Sequence, residues 1–317
     1  MHFPSILFLL TTLTTTIAHP GPHKQTTRAE LARRADLSAR CSHHASHYNA
    51  QRLKRTLHKR QNSTVSLTTS PPYYPTIQNE TCVLTPEVTA GPYWWRNSQT
   101  LRQDMTENQP GVPLLLDVGV LDMATCEPLE NVLVDFWHCN ATGKYSSFTQ
   151  LPADEPIDTI LAGLNVMDFE IGRSDIHTDE GTFLRGMWPT DGNGVVEMRS
   201  IFPGFYYGRA IHIHIQVHTD WVLRENGTLA SGKTVSTGQV FFGEDLEREI
   251  MALEPYASVT KVERLTNQFD NTYNNENTGG YNALVSVVPM DGEDVTKGMI
   301  GFVTIGVDTE AVESFPV

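Results

Sequence analysis

Short runs of alternating apolar and polar residues follow one another through most of the chain after residue 110 and predict β-strands. Turn residues separate the runs, most clearly in the Asp191–Gly194 stretch. Helices are predicted only at 244–253 and 156–162. The predicted strands cover residues 114–121, 132–137, 182–187, 195–201, 210–218, 237–242, 283–288 and 300–307. We therefore expect an all-β fold, an antiparallel β-sandwich with long functional loops and few short helices.

One predicted strand carries an unusual polar face. Alternation from residue 211 onward places His212, His214, Gln216 and His218 on one face, opposite an apolar face of three isoleucines and a valine. Residues two apart on a strand have Cα atoms about 6.6 Å apart, so His212 and His214 could share one metal ion. His218 lies about 13 Å beyond His214, which is too far to join them. For a bare His-x-His motif, two ordinary surface histidines are an equally good interpretation.

The first 81 residues differ in character from the rest of the chain. An apolar run at residues 6–10, followed by small residues up to Ala18, predicts a signal peptide at residues 1–18. Residues 19–60 hold ten basic and two acidic residues and three dibasic pairs, which is typical of a propeptide. Cleavage after Arg60 would leave Gln61 as the N-terminus; the alternative is a disordered basic tail that stays attached. Residues 61–81 are predicted to be a polar linker, and residues 82–317 the β-sandwich domain.

The net charge of the chain and its predicted signal peptide restrict the classes of binding partner and the cellular location that we expect. From Gln61 onward the chain carries 13 basic and 35 acidic residues, and such an acidic body disfavours nucleic acid as a partner. No stretch reaches transmembrane length. We expect a secreted, extracellular protein without a membrane partner. Four sequons predict N-glycans at Asn62, Asn79, Asn140 and Asn226.

The four cysteines, Cys41, Cys82, Cys126 and Cys139, allow several disulfides. Cys41 would be lost with the propeptide. Cys126 and Cys139 stand at opposite ends of a predicted strand, which is longer than the roughly 7 Å that a bridge spans between Cα atoms. These arguments leave Cys82 to pair with either Cys126 or Cys139, and we favour a Cys82–Cys126 disulfide.

Several ordered motifs resemble those of the intradiol ring-cleavage (catechol-type) dioxygenases, and most closely those of secreted fungal members. The resemblance runs from about residue 82 to residue 245. The motifs are the segments Cys82–Tyr93, Val134–Tyr145, Phe183–Gly186, Thr190–Gly194, Pro203–Tyr206 and Arg209–His214. The resemblance implies an enzyme that cleaves catecholic substrates between the two hydroxylated carbons with O2, giving cis,cis-muconate-type products.

The resemblance also implies a non-haem Fe(III) site made of two tyrosinates and two histidines. The Gly-x-Tyr motif corresponds to Tyr145, the Pro-Gly-x-Tyr motif to Tyr206, and the His-x-His motif to His212 and His214. Tyr206 and His214 would be the axial ligands. A hard, trivalent ion suits phenolate oxygen, which agrees with this ligand set. Tyr207 is the rival of Tyr206, but the register of the motif selects Tyr206.

Two further residues receive catalytic roles from the same resemblance. Arg209 would place its guanidinium against the substrate ring, where it stabilises developing negative charge. Gln239 would lie beside Arg209, and Tyr206 would accept a substrate proton as it leaves the metal. An ordinary surface arginine and a polar residue that opens a strand are the competing interpretations.

Two other classes of protein remain as alternatives. A copper or zinc protein could use the His-x-His motif, but it would need a third histidine or a carboxylate and would leave both tyrosines without a role. A secreted, non-enzymatic β-sandwich could bind glycans or phenolics on exposed Trp94, Trp95 or Trp188. The second alternative predicts no bound iron.

Overall fold

The computed structural model describes residues 27–61, 83–84, 90–223, 229–230, 232–277 and 281–309. The predicted signal peptide, the linker and three of the four sequons, at Asn62, Asn79 and Asn226, lie outside the described residues. Within the described residues, no helix is both long and apolar enough to span a bilayer.

Two β-sheets organise the described chain, and two short strands, Val222–Leu223 and Leu229–Ala230, form a separate pair. The strands are β1 (Val83–Leu84), β2 (Pro113–Asp122), β3 (Leu133–Trp137), β4 (Arg185–Pro189), β5 (Val195–Ile201), β6 (His212–Thr219), β7 (Val222–Leu223), β8 (Leu229–Ala230), β9 (Lys233–Phe241), β10 (Ser286–Pro289) and β11 (Met299–Val307). The helices are α1 (Arg28–Gln61), α2 (Ile157–Gly163), α3 (Glu244–Met251) and α4 (Asn271–Glu276).

The first sheet has the order β1-β11-β2-β5, with β10 also paired to β11, and the second has the order β4-β3-β6-β9. All pairs in the second sheet are antiparallel. In the first sheet, β11 runs parallel to both β1 and β2. The predicted sandwich with few short helices is confirmed in class, although the first sheet is mixed rather than wholly antiparallel.

The core lies between the two sheets. Alternate residues of β2 and β6 point into it, and they are fully or almost fully buried. They are Leu114, Leu116, Val118 and Val120 from β2, and Ile213, Ile215 and Val217 from β6. The period-two pattern read from the sequence thus assigns the correct inward face to β6.

The sequence predicts no helix in the basic N-terminal segment, but residues 28–61 form the 34-residue helix α1. Removal of the segment as a propeptide stays a prediction. A narrow stripe of this helix covers the outer face of the first sheet. Its side chains at positions 41, 45, 48 and 52 recur at helical spacing and are buried. The stripe is made of a cysteine, an alanine, a tyrosine and an arginine, so it does not stand out as hydrophobic in the sequence.

A buried ion pair attaches α1 to the sheet. The Arg52 guanidinium donates to Asp117 Oδ1 from Nε at 3.0 Å and from Nη2 at 2.6 Å. It also donates to Thr304 Oγ1 on β11 at 2.7 Å. A Cβ at position 119 would collide with Arg52 and Tyr48, so Gly119 allows the helix to approach β2 closely.

The favoured Cys82–Cys126 pairing is also wrong. The structure joins Cys41 of α1 to Cys126, across 85 residues of sequence. The error followed from removing Cys41 with the supposed propeptide, whereas α1 places it against the turn after β2. Cys139 is buried as a free thiol that donates to the Gly204 carbonyl oxygen.

If the chain is cut after Arg60, we expect the helix to stay attached through the Cys41–Cys126 disulfide. Non-reducing electrophoresis of the cut protein should show one species, and reduction should release a fragment that ends at Arg60. A Cys41→Ser variant should release the same fragment under non-reducing, denaturing conditions. A mature protein that begins at Gln61 and has a free thiol at Cys126 would contradict this expectation.

Candidate metal centre and active site

Strand β6 places the two predicted histidine ligands at the centre of the second sheet. Residue 214 pairs with Trp137 on β3 and with Gln239 on β9, and His212 pairs with Phe241. Both imidazoles are almost completely buried, because a second apolar cluster covers this face of the sheet. The histidine face is therefore not a solvent-exposed surface.

The hydrogen bonds of His212 define its tautomer. Nδ1 lies 2.7 Å from the Ala210 carbonyl oxygen, which can only accept, so Nδ1 carries the proton. Burial and the nearby Arg209 charge lower the pKa of His212 to about 3, so the ring is neutral. Nε2 therefore directs a lone pair into the site, which is the state that a metal ligand requires.

The donor atoms of three predicted ligands lie close together. His212 Nε2 is 3.1 Å from His214 Nε2 and 3.4 Å from the Tyr206 hydroxyl oxygen. Two ligands about 2.0–2.1 Å from one ion, at a right angle to each other, lie about 3 Å apart. The His214 ring stacks on Trp137 with ring centroids 4.8 Å apart, which orients its imidazole.

The Tyr145 side chain joins the cluster of Tyr206, His212 and His214 from the loop after β3. Asn140 Oδ1 accepts hydrogen bonds from the backbone nitrogens of Thr142 and Lys144, each at 3.0 Å, and so shapes the turn before the tyrosine. Gly143 has φ +82°, and a Cβ there would collide with the Phe205 carbonyl oxygen. The glycine of the Gly-x-Tyr motif thus allows the two tyrosine-bearing loops to touch.

The rings of the two tyrosines pack together, with centroids 5.6 Å apart. Tyr93 stacks on Tyr145 at 4.6 Å and meets Tyr206 edge to face at 5.6 Å. Burial raises the pKa of Tyr206 to about 12, although the Arg209 charge opposes the shift. Burial, followed by the nearby Tyr206 phenol, raises the pKa of Tyr145 well above its usual value. Without a cation, both groups remain neutral phenols.

This donor set suits one hard, highly charged metal ion. Tyr145, Tyr206, His212 and His214 bring two phenol oxygens and two imidazole rings into one buried cluster, and phenolate oxygen prefers a hard ion. A strong Lewis acid is what would ionise phenols whose pKa values are raised. Among the described residues, no group of three or more His, Cys, Asp or Glu side chains is arranged to hold a metal. The third histidine or carboxylate required by the copper or zinc alternative is not found in that part of the chain.

Arg209 and Gln239 lie together beside the cluster, and both are buried. The guanidinium donates from Nη2 to Gln239 Oε1 and from Nε to Asp270 Oδ2 at 2.8 Å. Burial lowers the pKa of Arg209, but the Asp270 carboxylate outweighs this and raises it above the usual value. Arg209 is therefore a permanent buried cation and not the ordinary surface arginine of the competing interpretation.

Sequence reasoning missed Asp270. The only local signal at Asp270 is that of a helix cap, since its carboxylate accepts from the first backbone nitrogens of α4. The pairing with Arg209 depends on contact across 61 residues, and nothing in the neighbouring sequence indicates it.

Two histidines outside the cluster, and the three tryptophans of the binding-protein alternative, make structural contacts. His138 is buried; its Nδ1 donates to the Cys139 carbonyl oxygen, and its Nε2 lies 2.7 Å from Ser200 Oγ. His177 stacks on Trp95 with centroids 4.1 Å apart. The expectation of exposed tryptophans is wrong: Trp94 and Trp95 are half-buried against the second cluster, and Trp188 is half-buried against the main core.

Comparisons with known proteins agree with the motif resemblance. The model of the family described as "Dioxygenase" matches residues 89–225. A solved intradiol ring-cleavage dioxygenase from Tetranychus urticae is 25% identical, with a TM-score of 0.58 over 74% of this chain and 98% of its own. A second solved dioxygenase is 24% identical, with a TM-score of 0.57 over the same shares, and shows the same fold. No curated protein sequence matches the chain.

The matched residues include all four predicted ligands and Arg209. The family match and the structural likeness make the chain similar to the intradiol ring-cleavage dioxygenases, oxidoreductases that open catecholic rings.

Proposed function

We propose that this protein is a secreted, Fe(III)-dependent intradiol dioxygenase. It cleaves a catecholic ring between the two hydroxylated carbons and inserts both atoms of O2, giving a cis,cis-muconate-type product. The observation that carries the proposal is that His212 Nε2 lies 3.1 Å from His214 Nε2 and 3.4 Å from the Tyr206 hydroxyl oxygen, with Tyr145 packed against Tyr206.

Fe(III), when bound, would polarise the catechol oxygens and link the ring electronically to O2. Tyr145, Tyr206, His212 and His214 would hold it. The site excludes water, because aromatic and aliphatic side chains of the second cluster surround the donors. Such a lining suits the flat, apolar faces of an aromatic ring.

Tyr206 is the base that we assign to the substrate. A catechol must lose both hydroxyl protons to chelate a metal, and the Tyr206 phenolate oxygen would accept one of them. Burial, opposed in part by the Arg209 charge, raises the Tyr206 pKa to about 12. Its phenolate is therefore a strong base, and the protonated form is stable once it has received the proton.

Arg209 provides fixed positive charge near the reacting ring. Its guanidinium is held by Asp270 on one side and by Gln239 on the other. A charge already oriented before the reaction stabilises developing negative charge without reorganisation during the step. Gln239 has the role of a positioning residue rather than that of a group that reacts.

The Cys41–Cys126 disulfide supports the proposal of secretion, since disulfides persist in oxidising compartments. N-glycans are proposed at Asn62, Asn79, Asn140 and Asn226. Asn140 differs in its surroundings, because its Nδ2 donates to Gln109 Oε1 at 3.2 Å, a hydrogen bond that a glycan on Nδ2 would disturb.

Metal analysis and visible spectroscopy test the function. We expect the purified protein to hold close to one iron per chain and to show the strong visible absorption of ferric tyrosinate. Anaerobic catechol should shift the band, and air should then convert catechol to a ring-opened product. A colourless protein that stays iron-free after reconstitution would contradict the proposal and favour a non-catalytic binding protein. Stoichiometric copper or zinc would favour the metalloprotein alternative.

A further inference from the structure

We propose that Asp270 is a positioning residue for the ring-cleavage reaction, holding the Arg209 guanidinium in its working orientation. The inference rests on the proposed function and extends it to a residue outside the segment of the dioxygenase family match, residues 89–225. The Arg209 and Asp270 side chains are only 2% and 1% exposed, so solvent does not screen the pair.

The two carboxylate oxygens of Asp270 accept hydrogen bonds from two different parts of the structure. Oδ2 accepts from Arg209 Nε at 2.8 Å and from the Ala210 backbone nitrogen at 2.9 Å. Oδ1 accepts from the backbone nitrogens of Thr272 and Tyr273 at 2.8 and 3.1 Å. One carboxylate therefore joins the start of α4 to the backbone that leads into the metal-binding strand.

The far end of α4 supports the other partner of Arg209. Glu276 Oε1 accepts from the Gln239 backbone nitrogen at 2.8 Å, and Gln239 Oε1 accepts from Arg209 Nη2. Both Glu276 and Gln239 are fully buried. Helix α4 thus contacts the Arg209–Gln239 pair from both of its ends, and Asp270 is the end that touches the guanidinium itself.

The geometry requires a carboxylate at position 270. The four hydrogen bonds to the Asp270 carboxylate all come from nitrogen donors. The side-chain amide of an asparagine would offer only one acceptor oxygen for them. In Asp270→Asn, an N–H group would face either Arg209 or the start of α4. The guanidinium would lose its counter-charge in either case, and it would also lose the acceptor of its Nε when the N–H group faces it, so its orientation would be less well held.

The test compares Asp270→Asn with Arg209→Met and with the double variant, each loaded with iron. We expect Asp270→Asn to lower kcat for catechol about 10–100-fold per bound iron. When Asp270→Asn is combined with Arg209→Met, it should lower kcat little further, because Asp270 acts through Arg209. Asp294→Asn is the matched control, since Asp294 also caps a helical turn but contacts neither Arg209 nor the ligands; its kcat should equal that of the wild type.

A second measurement does not depend on turnover. Anaerobic binding of 4-nitrocatechol, followed by its visible spectrum, should weaken in Asp270→Asn and show the same non-additivity with Arg209→Met. An unchanged kcat, or losses that simply add in the double variant, would overturn the role of Asp270. If the wild type holds iron but does not cleave catechol, the proposed function fails, and the binding comparison still decides on Asp270. A wild type that neither cleaves nor binds a catechol overturns both.

Discussion

Replacing Tyr206 with phenylalanine is expected to lower kcat/KM for catechol cleavage by about 10³-fold or more. The substitution removes a hydroxyl whose oxygen lies 3.4 Å from His212 Nε2, and with it both a metal donor and the base for a substrate proton. The ring itself and its packing against Tyr93 and Tyr145 would remain. We expect the folded protein to persist while its visible band shifts or disappears. Stopped-flow kinetics and iron analysis on the same sample measure both effects.

The neighbouring tyrosine is the natural control. Tyr207 is half-buried and belongs to the same turn, where its backbone nitrogen donates to the Ala153 carbonyl oxygen. Tyr207→Phe leaves that hydrogen bond intact and should leave iron content and kcat/KM close to wild-type values. Loss of iron in Tyr207→Phe, with Tyr206→Phe unaffected, would show that the ligand assignment is shifted by one residue.

The second large effect is expected on stability and concerns helix α1. Arg52→Ala should lower the free energy of unfolding by about 3–5 kcal/mol, because it leaves the Asp117 carboxylate buried without its counter-ion. Asp117 is fully buried and Arg52 is 2% exposed, so water cannot compensate for the loss. The hydrogen bond from Arg52 to Thr304 would be lost as well. Denaturant unfolding of the disulfide-intact protein measures the change.

Arg55→Ala provides a comparison on the same helix. Arg55 pairs with Asp191 at 3.1 Å, but the two side chains are 28% and 48% exposed. A solvated pair of this kind contributes about 0–1 kcal/mol, so the variant should unfold almost as the wild type does. Equal and small losses in the two variants would mean that α1 is not firmly docked on the sheet.

Strand alternation was predictable because it is local. In β6, polar and apolar residues exchange at every position, and the structure buries the isoleucines in the main core and the histidines under the second cluster. The turn-forming motifs around Tyr145 and Tyr206 are local in the same sense. Spacing along β6 therefore already indicated that His212 and His214 could meet, and the family resemblance added Tyr145 and Tyr206. The structure places the four side chains in one cluster.

The errors all involve contacts between residues far apart in sequence. Helix α1 was not predicted, because its buried stripe includes the charged Arg52 and so shows no apolar periodicity in the sequence. Its partner, Asp117, lies 65 residues away in an otherwise apolar strand. Cys126 was paired with the wrong cysteine for the same reason.

By itself, the sequence determined the β-strand pattern, the family resemblance, and the candidate set Tyr145, Tyr206, His212, His214, Arg209 and Gln239. The strand pattern and the His212–His214 pair rest on spacing along a single strand, which the backbone converts directly into proximity, whereas the other four candidates rest on the family resemblance. Only the tertiary structure decided that Cys41 bridges Cys126, that Arg52 pairs with Asp117, and that Asp270 holds Arg209. These are pairings of charges and thiols in a low-dielectric interior, where the chosen partner depends on which distant segments the fold brings together.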